Sequence, residues 1–159
     1  MIATTHALVG AMIASRLQNP ILAPIAGFAS HFVLDSIPHW DFGTSWQTRS
    51  KTITGIIAIA DTLIGIVGAF LLFSRLVHPW ILLATIAAAE LPDWLEAPWY
   101  MFFAGSDADR SKDSDSWIKK AAYFLHHFQN GFHTKAAFSF GVFTQIATIL
   151  FFWLLLTPR

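Results

Sequence analysis

The sequence predicts an all-α integral membrane bundle of about five helices, with one further amphipathic helix lying in the interface. Three observations carry this. Of 159 residues, 55% are hydrophobic and only 13% are charged, roughly half the charge that covers a soluble domain of this size. Mean hydropathy is +0.53. Apolar stretches close to the roughly 20 residues that cross a bilayer recur along the chain.

The first stretch runs from Ile2 to Leu17 and is short. It has no basic leader, contains His6 and meets Arg16, so it reads as part of the fold and not as a cleaved signal. Asn19-Pro20 makes a tight link to the second stretch, Pro20 to Ile37, which carries His31 and Asp35 near its end. The polar loop Asp41 to Lys51 follows. Ile53 to Phe73 is apolar apart from Asp61. Pro79 to Phe103 is long enough to span, with Glu90, Pro92, Asp93 and Glu96 in its second half. Gly105 to Ser116 is a loop of Asp, Ser, Arg and Lys. From Trp117 to Phe128, Trp117, Ala121, Phe124, Leu125 and Phe128 recur at helical spacing, which predicts the interfacial helix. Ala136 to Leu156 carries no charge and is the clearest span.

The length suits one domain over residues 1–159. Formal net charge is zero, so no global field draws the chain to nucleic acid. The absence of cysteine excludes disulfides and thiolate zinc sites. Any metal must be held by imidazole and carboxylate.

Lys and Arg set the orientation. With five spans, the loops after spans two and four share a side with the N-terminus. They hold Arg49, Lys51, Arg110, Lys112, Lys119, Lys120 and Lys135, against Arg16, Arg75 and Arg159 opposite. The N-terminus is therefore expected in the cytoplasm, with Trp40, Trp46 and Trp117 at the inner interface and Trp80 and Trp153 at the outer one.

Ionisable groups inside spans are costly and mark function. An up-down bundle brings His6, His31, Asp35, Asp61, Glu90 and Asp93 to one side, with His39, His126, His127 and His133 just beyond span ends. His31, Asp35 and His39 are four apart and would stack on one helix face, unless Pro38 breaks the helix first. Asp61 reads either as a ligand or as the cap of a neighbouring helix. Glu90 and Asp93 share a face if Pro92 leaves the turn intact, and only one need be a ligand. Adjacent His126 and His127 point about 100° apart, so at least one is structural or exposed. Asp41 reads equally as a loop cap or a ligand, His133 as a ligand or the polar leader of the last span, and His78 as a surface residue. So many donors exceed one catalytic ion and suit two or three, which together clamp the oxygens of a phosphoester.

Thr5-His6 with Gly10, then Ser30-His31-Phe32-Val33-Leu34-Asp35-Ser36-Ile37-Pro38-His39-Trp40-Asp41, resembles the YdjM-like membrane-bound metal-dependent hydrolases of bacteria. Leu91-Pro92-Asp93 is similar to that family's Leu-Pro-Asp element. His127 with Gly131-Phe132-His133-Thr134 is similar to its His-Arg-Gly-x-Thr-His segment, with longer spacing and with Thr and His exchanged. The family is related to zinc-dependent phospholipase C and the P1-type nucleases, all-α enzymes with a trinuclear zinc site and a His-x-x-x-Asp ligand element. His31 and Asp35 match that element. The resemblance implies zinc, a phosphoester substrate and a bacterial inner membrane.

Together these readings predict a metal-dependent hydrolase that cleaves a phosphoester of a lipid or amphiphile through a metal-bound hydroxide. His6, His31, Asp35, His39, Asp61, Asp93, His127 and His133 are the expected ligands. Asp35, Asp61 and Glu90 are the carboxylates expected to take part in catalysis. Membrane lipid is the expected partner. The alternatives are a metal or proton carrier and a structural zinc protein. A carrier needs ionisable groups through the whole depth, and the outer half of each span is nearly bare.

Overall fold

In a computed structural model, which describes residues 1–43, 48–104 and 116–157, those residues are mostly helical and form no strand. Among the described residues six α-helices follow in order: α1 (Ala3–Leu17), α2 (Leu22–Asp35), α3 (Lys51–Phe73), α4 (Pro79–Pro98), α5 (Trp117–Asn130) and α6 (Phe138–Leu156). A π-helical segment, Trp99–Phe103, continues α4. The polar residues 105–115, Trp46 and Arg159, which the sequence reading used, lie outside the described residues.

Local chemistry sets the helix ends. Asn19 Oδ1 accepts from the N–H groups of Ile21 and Leu22 at 3.0 and 2.9 Å. Ser50 and Ser116 accept from Ile53 and Lys119 at the starts of α3 and α5, as serine does at an N-cap. Pro79 opens α4, where its missing N–H costs nothing. Pro92 does not end α4, and the helix runs on through it to Pro98.

α1 is the centre of the molecule. It packs against α2, α3, α4 and α6, and it is buried on nearly every face. A helix that is apolar all round belongs inside. Its small residues let neighbours come close. Ala7, Ala11, Met12 and Ala14 join Ala69, Phe73, Leu82 and Ile86 in the main core. Val9 and Ile13 meet Leu34 in a second one. Gly65 on α3 is one point of contact, where an added Cβ would stand 2.9 Å from Thr4 Cα. An added Cβ at Gly68 would meet nothing within 4 Å.

The outer faces are apolar. α3 exposes Ile56, Ile59, Leu63, Ile64 and Leu71, and α6 exposes Phe143, Leu150, Phe151 and Leu154. Exposed patches this continuous mark contact with a membrane or a partner. α3 and α6 are long and apolar enough to cross a membrane, with 23 and 19 residues and mean hydropathy of 2.5 and 1.9. At 1.5 Å per residue they reach about 35 and 29 Å, against a hydrocarbon core of about 30 Å. α1, with 15 residues, reaches only about 23 Å.

Candidate metal centre

His31 and Asp35 lie one turn apart on the last part of α2, with His31 Nε2 3.3 Å from Asp35 Oδ2. Pro38 has no N–H to extend a helix, and the chain runs on in an extended form. There His39 forms a parallel bridge with Lys135. His39 N–H donates to Thr134 O at 3.0 Å, Ala136 N–H to His39 O at 2.8 Å, and Thr134 N–H to Asp35 O at 3.0 Å. Those three backbone bonds deliver His133 onto the end of α2.

His6 arrives from α1. Its ring stacks on His31 with centroids 4.0 Å apart, and its Nε2 is 3.2 Å from Asp35 Oδ1. Asp93 arrives from α4, with Oδ1 3.6 Å from His31 Nε2. His133 Nδ1 is 3.6 Å from Asp35 Oδ2. Its Nε2 is 2.8 Å from His39 Nε2 and 2.5 Å from Asp41 Oδ2. Asp35 therefore stands in the middle, with imidazoles from α1, α2 and both flanking segments around its two oxygens. The α-amino group of Met1 also donates to it.

Two sets of donors, His6/His31/Asp93 and Asp35/His39/His133, each bring their ligand atoms within 4.8 Å of one another and could hold a metal ion. The rings are oriented for it. His31 Nδ1 is 2.8 Å from Ala89 O, and His39 Nδ1 is 2.8 Å from Ile37 O. A carbonyl oxygen only accepts, so in neutral rings Nδ1 carries the proton and Nε2 is a bare lone pair. Those lone pairs face carboxylate oxygens, an arrangement that repels until a cation stands between them. His31 Nε2 and both ring nitrogens of His6 are buried without a hydrogen-bond partner. Two ligands at about 2.0–2.1 Å from one tetrahedral ion stand about 3.3 Å apart. Four His–Asp separations around Asp35 and Asp93, at 3.2 to 3.6 Å, are close to that size, and His39 Nε2 is farther from Asp35 at 3.9 Å.

Three expected site residues are engaged elsewhere. The Asp61 carboxylate accepts from Ala3 N at 2.7 Å, from Thr4 N at 3.2 Å and from the Thr4 hydroxyl at 2.6 Å. Ile2 has no side chain to cap α1, and Asp61 supplies that cap from α3, the second of the two readings its sequence position allowed. Glu90 is fully buried, and one of its oxygens is 3.2 Å from where a Cβ on Gly65 would stand. It points into the seam with α3, and of the Glu90/Asp93 pair the cluster takes Asp93. His127 is exposed, stacked on Tyr123 and 3.3 Å from its hydroxyl. Its neighbour His126 turns inward to Glu96 Oε1 at 2.5 Å, beside Trp99. One face of α5 packs on α4, so the roughly 100° between neighbours separates the two rings.

Asp41 joins the cluster. Burial would push its carboxyl up, but the neighbouring imidazoles, His133 above all, outweigh that and hold it well below the usual carboxylate range. Its signal in the sequence is His39-x-Asp41, because alternate residues of an extended segment share a side. Gln145 on α6 carried no such signal. It donates to Trp40 O at 2.8 Å and accepts from Ile2 N at 3.1 Å, tying α6 to both sides of the site. Gly141, one turn earlier, lets the segment approach, since a Cβ there would stand 2.2 Å from Trp40 N. A cavity of about 400 Å³ opens beside the cluster, between α3 and the end of α4, with Asp41, Asp93 and His133 on its wall.

The chain matches no protein-family model, no curated protein and no solved structure.

Proposed function

We propose that this chain is a membrane-embedded hydrolase of the YdjM-like kind, which holds two zinc ions and cleaves a phosphoester of a lipid or amphiphile. The observation that carries the reading is the pair of carbonyl-anchored imidazoles, His31 and His39, whose Nε2 atoms both face the central Asp35. Outer partners that fix imidazole tautomers are a mark of metal sites. His6, His31 and Asp93 would hold one ion, His39 and His133 the other, with Asp35 between them. Zinc there would supply Lewis acidity toward phosphate oxygens and a water acidic enough to lose a proton near neutral pH.

The chain's own residues do the rest. Ala89 O and Ile37 O orient the rings. Asp41 accepts from His133 Nε2 at 2.5 Å and keeps the other ring nitrogen of His133 turned toward Asp35. Asp93 is part-exposed on the cavity wall and is the carboxylate positioned to take a proton from water. Burial of the rest keeps bulk solvent out of the cluster.

In this reading α1 to α4 and α6 form the bundle in a bacterial inner membrane, and α5 lies in its interface. α5 supports that placement by exposing Trp117, Ile118, Phe124 and Phe128 beside Lys119 and Lys120. The Lys and Arg excess favours a cytoplasmic N-terminus and a site opening inward. Trp40 lies in the segment that carries His39 and Asp41, while Trp80 and Trp153 lie at the ends of α4 and α6 away from the cluster.

Elemental analysis of the purified protein tests the reading, together with turnover of a long-chain phosphodiester. About two zinc equivalents and a turnover that is lost on chelation and restored by zinc are expected. Protein that retains no divalent metal after purification and zinc dialysis overturns it.

A further inference from the structure

We infer that the cavity beside the cluster is a lateral slot that takes one hydrocarbon chain of a bilayer amphiphile, selected by the apolar walls and not by the charge of the head. The inference deepens the proposed function and rests on its membrane placement, while its test reads chain binding apart from zinc and turnover.

Small residues carve the slot. Gly55, Ala58 and Thr62 of α3 line it, at the three- and four-residue spacing that puts them on one helix face. Ala97 lines it from α4. An added Cβ at Gly55 would meet nothing within 4 Å, so no neighbour takes the space. Along α3 the lining runs from Lys51 to Leu63, a length of about 18 Å at the helical rise. A cavity of about 400 Å³ drawn out over that distance suits an extended chain.

The mouth faces sideways. Ile59 and Leu63 of α3, Trp94 of α4 and Met101 of the π-helical segment line the cavity and are also exposed on the outer surface. A chain already in hydrocarbon enters there without crossing water. It supplies contacts that the apolar lining would otherwise lack. Asp41, Asp93 and His133 stand at the polar end, so a chain lying in the slot brings the first atoms of its head to the cluster.

Charged side chains of both signs line the slot, and most are already engaged. Asp61 is held by α1, Asp41 by His133 and Glu96 by His126. Lys51 donates to Met101 O at 3.3 Å. Neither sign prevails, so the tail is what the walls recognise.

The test uses the purified full chain in a neutral steroid detergent, which brings no alkyl chain of its own. The probes are three amphiphiles that share a dodecyl chain with a terminal diazirine and differ in the head, which is phosphate, trimethylammonium or maltoside. After illumination, mass spectrometry maps the labelled residues. Saturable labelling inside the slot, at Thr62 and Ala97, is expected from all three. Dodecanol should compete, and inorganic phosphate should not. Gly55→Phe and Ala58→Phe each fill the slot and should cut the labelling about fivefold or more, the factor for forcing a group into occupied space. Gly68→Phe should leave it unchanged, because an added Cβ there also meets nothing within 4 Å and Gly68 does not line the cavity. Labelling that survives both filling variants, or that is unsaturable and spread equally over Ile56, Ile64 and Leu71, overturns the slot. Labelling by one head alone overturns selection by the tail. If the slot is labelled as described but no zinc binds or no phosphoester is turned over, the inference stands and the hydrolase reading fails. If zinc and turnover are intact and the slot stays unlabelled, the reverse holds.

Discussion

His31 is anchored from behind by Ala89, whose carbonyl oxygen lies 2.8 Å from Nδ1. The bond joins α2 to α4 in the turn that Pro92 interrupts. Pro92 has no N–H to give the carbonyl of Ala88, the neighbour of Ala89, and its own carbonyl accepts from Gln129 at 2.8 Å. The irregular turn of α4 thus holds a ring of α2 and a side chain of α5.

Removing a donor should remove metal before it removes the fold. His31→Ala and His133→Ala should each lose about one equivalent, and Asp35→Ala, between the two sets, should lose both. Packing among α1, α3 and α4 does not involve these side chains, so the yield of monodisperse protein in detergent should hold. An Asp35→Ala protein that unfolds while the metal stays bound would make Asp35 structural.

Asp61 should behave in the opposite way. Its cap on α1 predicts that Asp61→Ala lowers stability by about 0.5–2 kcal/mol, the range for a lost N-cap, and leaves metal content unchanged. Thermal unfolding in detergent, read with and without added zinc, separates the two effects. Loss of metal at unchanged stability would return Asp61 to the ligand set.

Metal affinity should fall steeply with acid. Each set contains two imidazoles, and metal binds only their neutral form, so protons compete with it as the pH falls. Zinc titrations between pH 5 and 7.5 check it, and a flat profile would point to carboxylates alone.

Gly141→Ala should damage only one half of the site. The methyl would overlap Trp40 N, pushing α6 from the segment that carries His39 and Asp41, at a cost of about 1–3 kcal/mol. Metal at His39/His133 should be lost while the His6/His31/Asp93 set keeps its ion. Equal loss from both sets would show that Asp35 couples them rigidly.

Cysteine labelling reads the side of the membrane. Ser50→Cys lies at the cluster end of α3 and Leu76→Cys just beyond its other end. An impermeant reagent on whole cells should reach position 76 and spare position 50. The reverse pattern inverts the bundle.

Much of this arrangement was legible beforehand because it rests on periodicity. The six helices follow from where apolar runs start and stop, and His31 and Asp35 meet because four residues make about one turn. What could not be read depends on which helix lies beside which. Asp61 has the same appearance in sequence whether it faces an ion or the first turn of α1. Glu90 and Asp93 share a face by spacing, yet one meets α3 and the other meets His31. Lys51 and Lys135 are 84 positions apart and become neighbours of one cavity only through the bundle.

The central position of α1 has a consequence for the order of assembly. Its first residues are tied to Gln145, 143 and 140 positions later, through Ile2 N and the Thr5 hydroxyl. A ribosome therefore releases the innermost helix first and its last neighbour at the end. Until α6 emerges, one flank of α1 has no partner, and until residues 133–136 pair with the end of α2, His133 is not in reach of Asp35. On the proposed reading the last donor, His133, emerges just ahead of α6, so ion uptake would report that the chain is nearly complete, and a ribosome-stalled chain ending before His133 should take up less zinc than the released one.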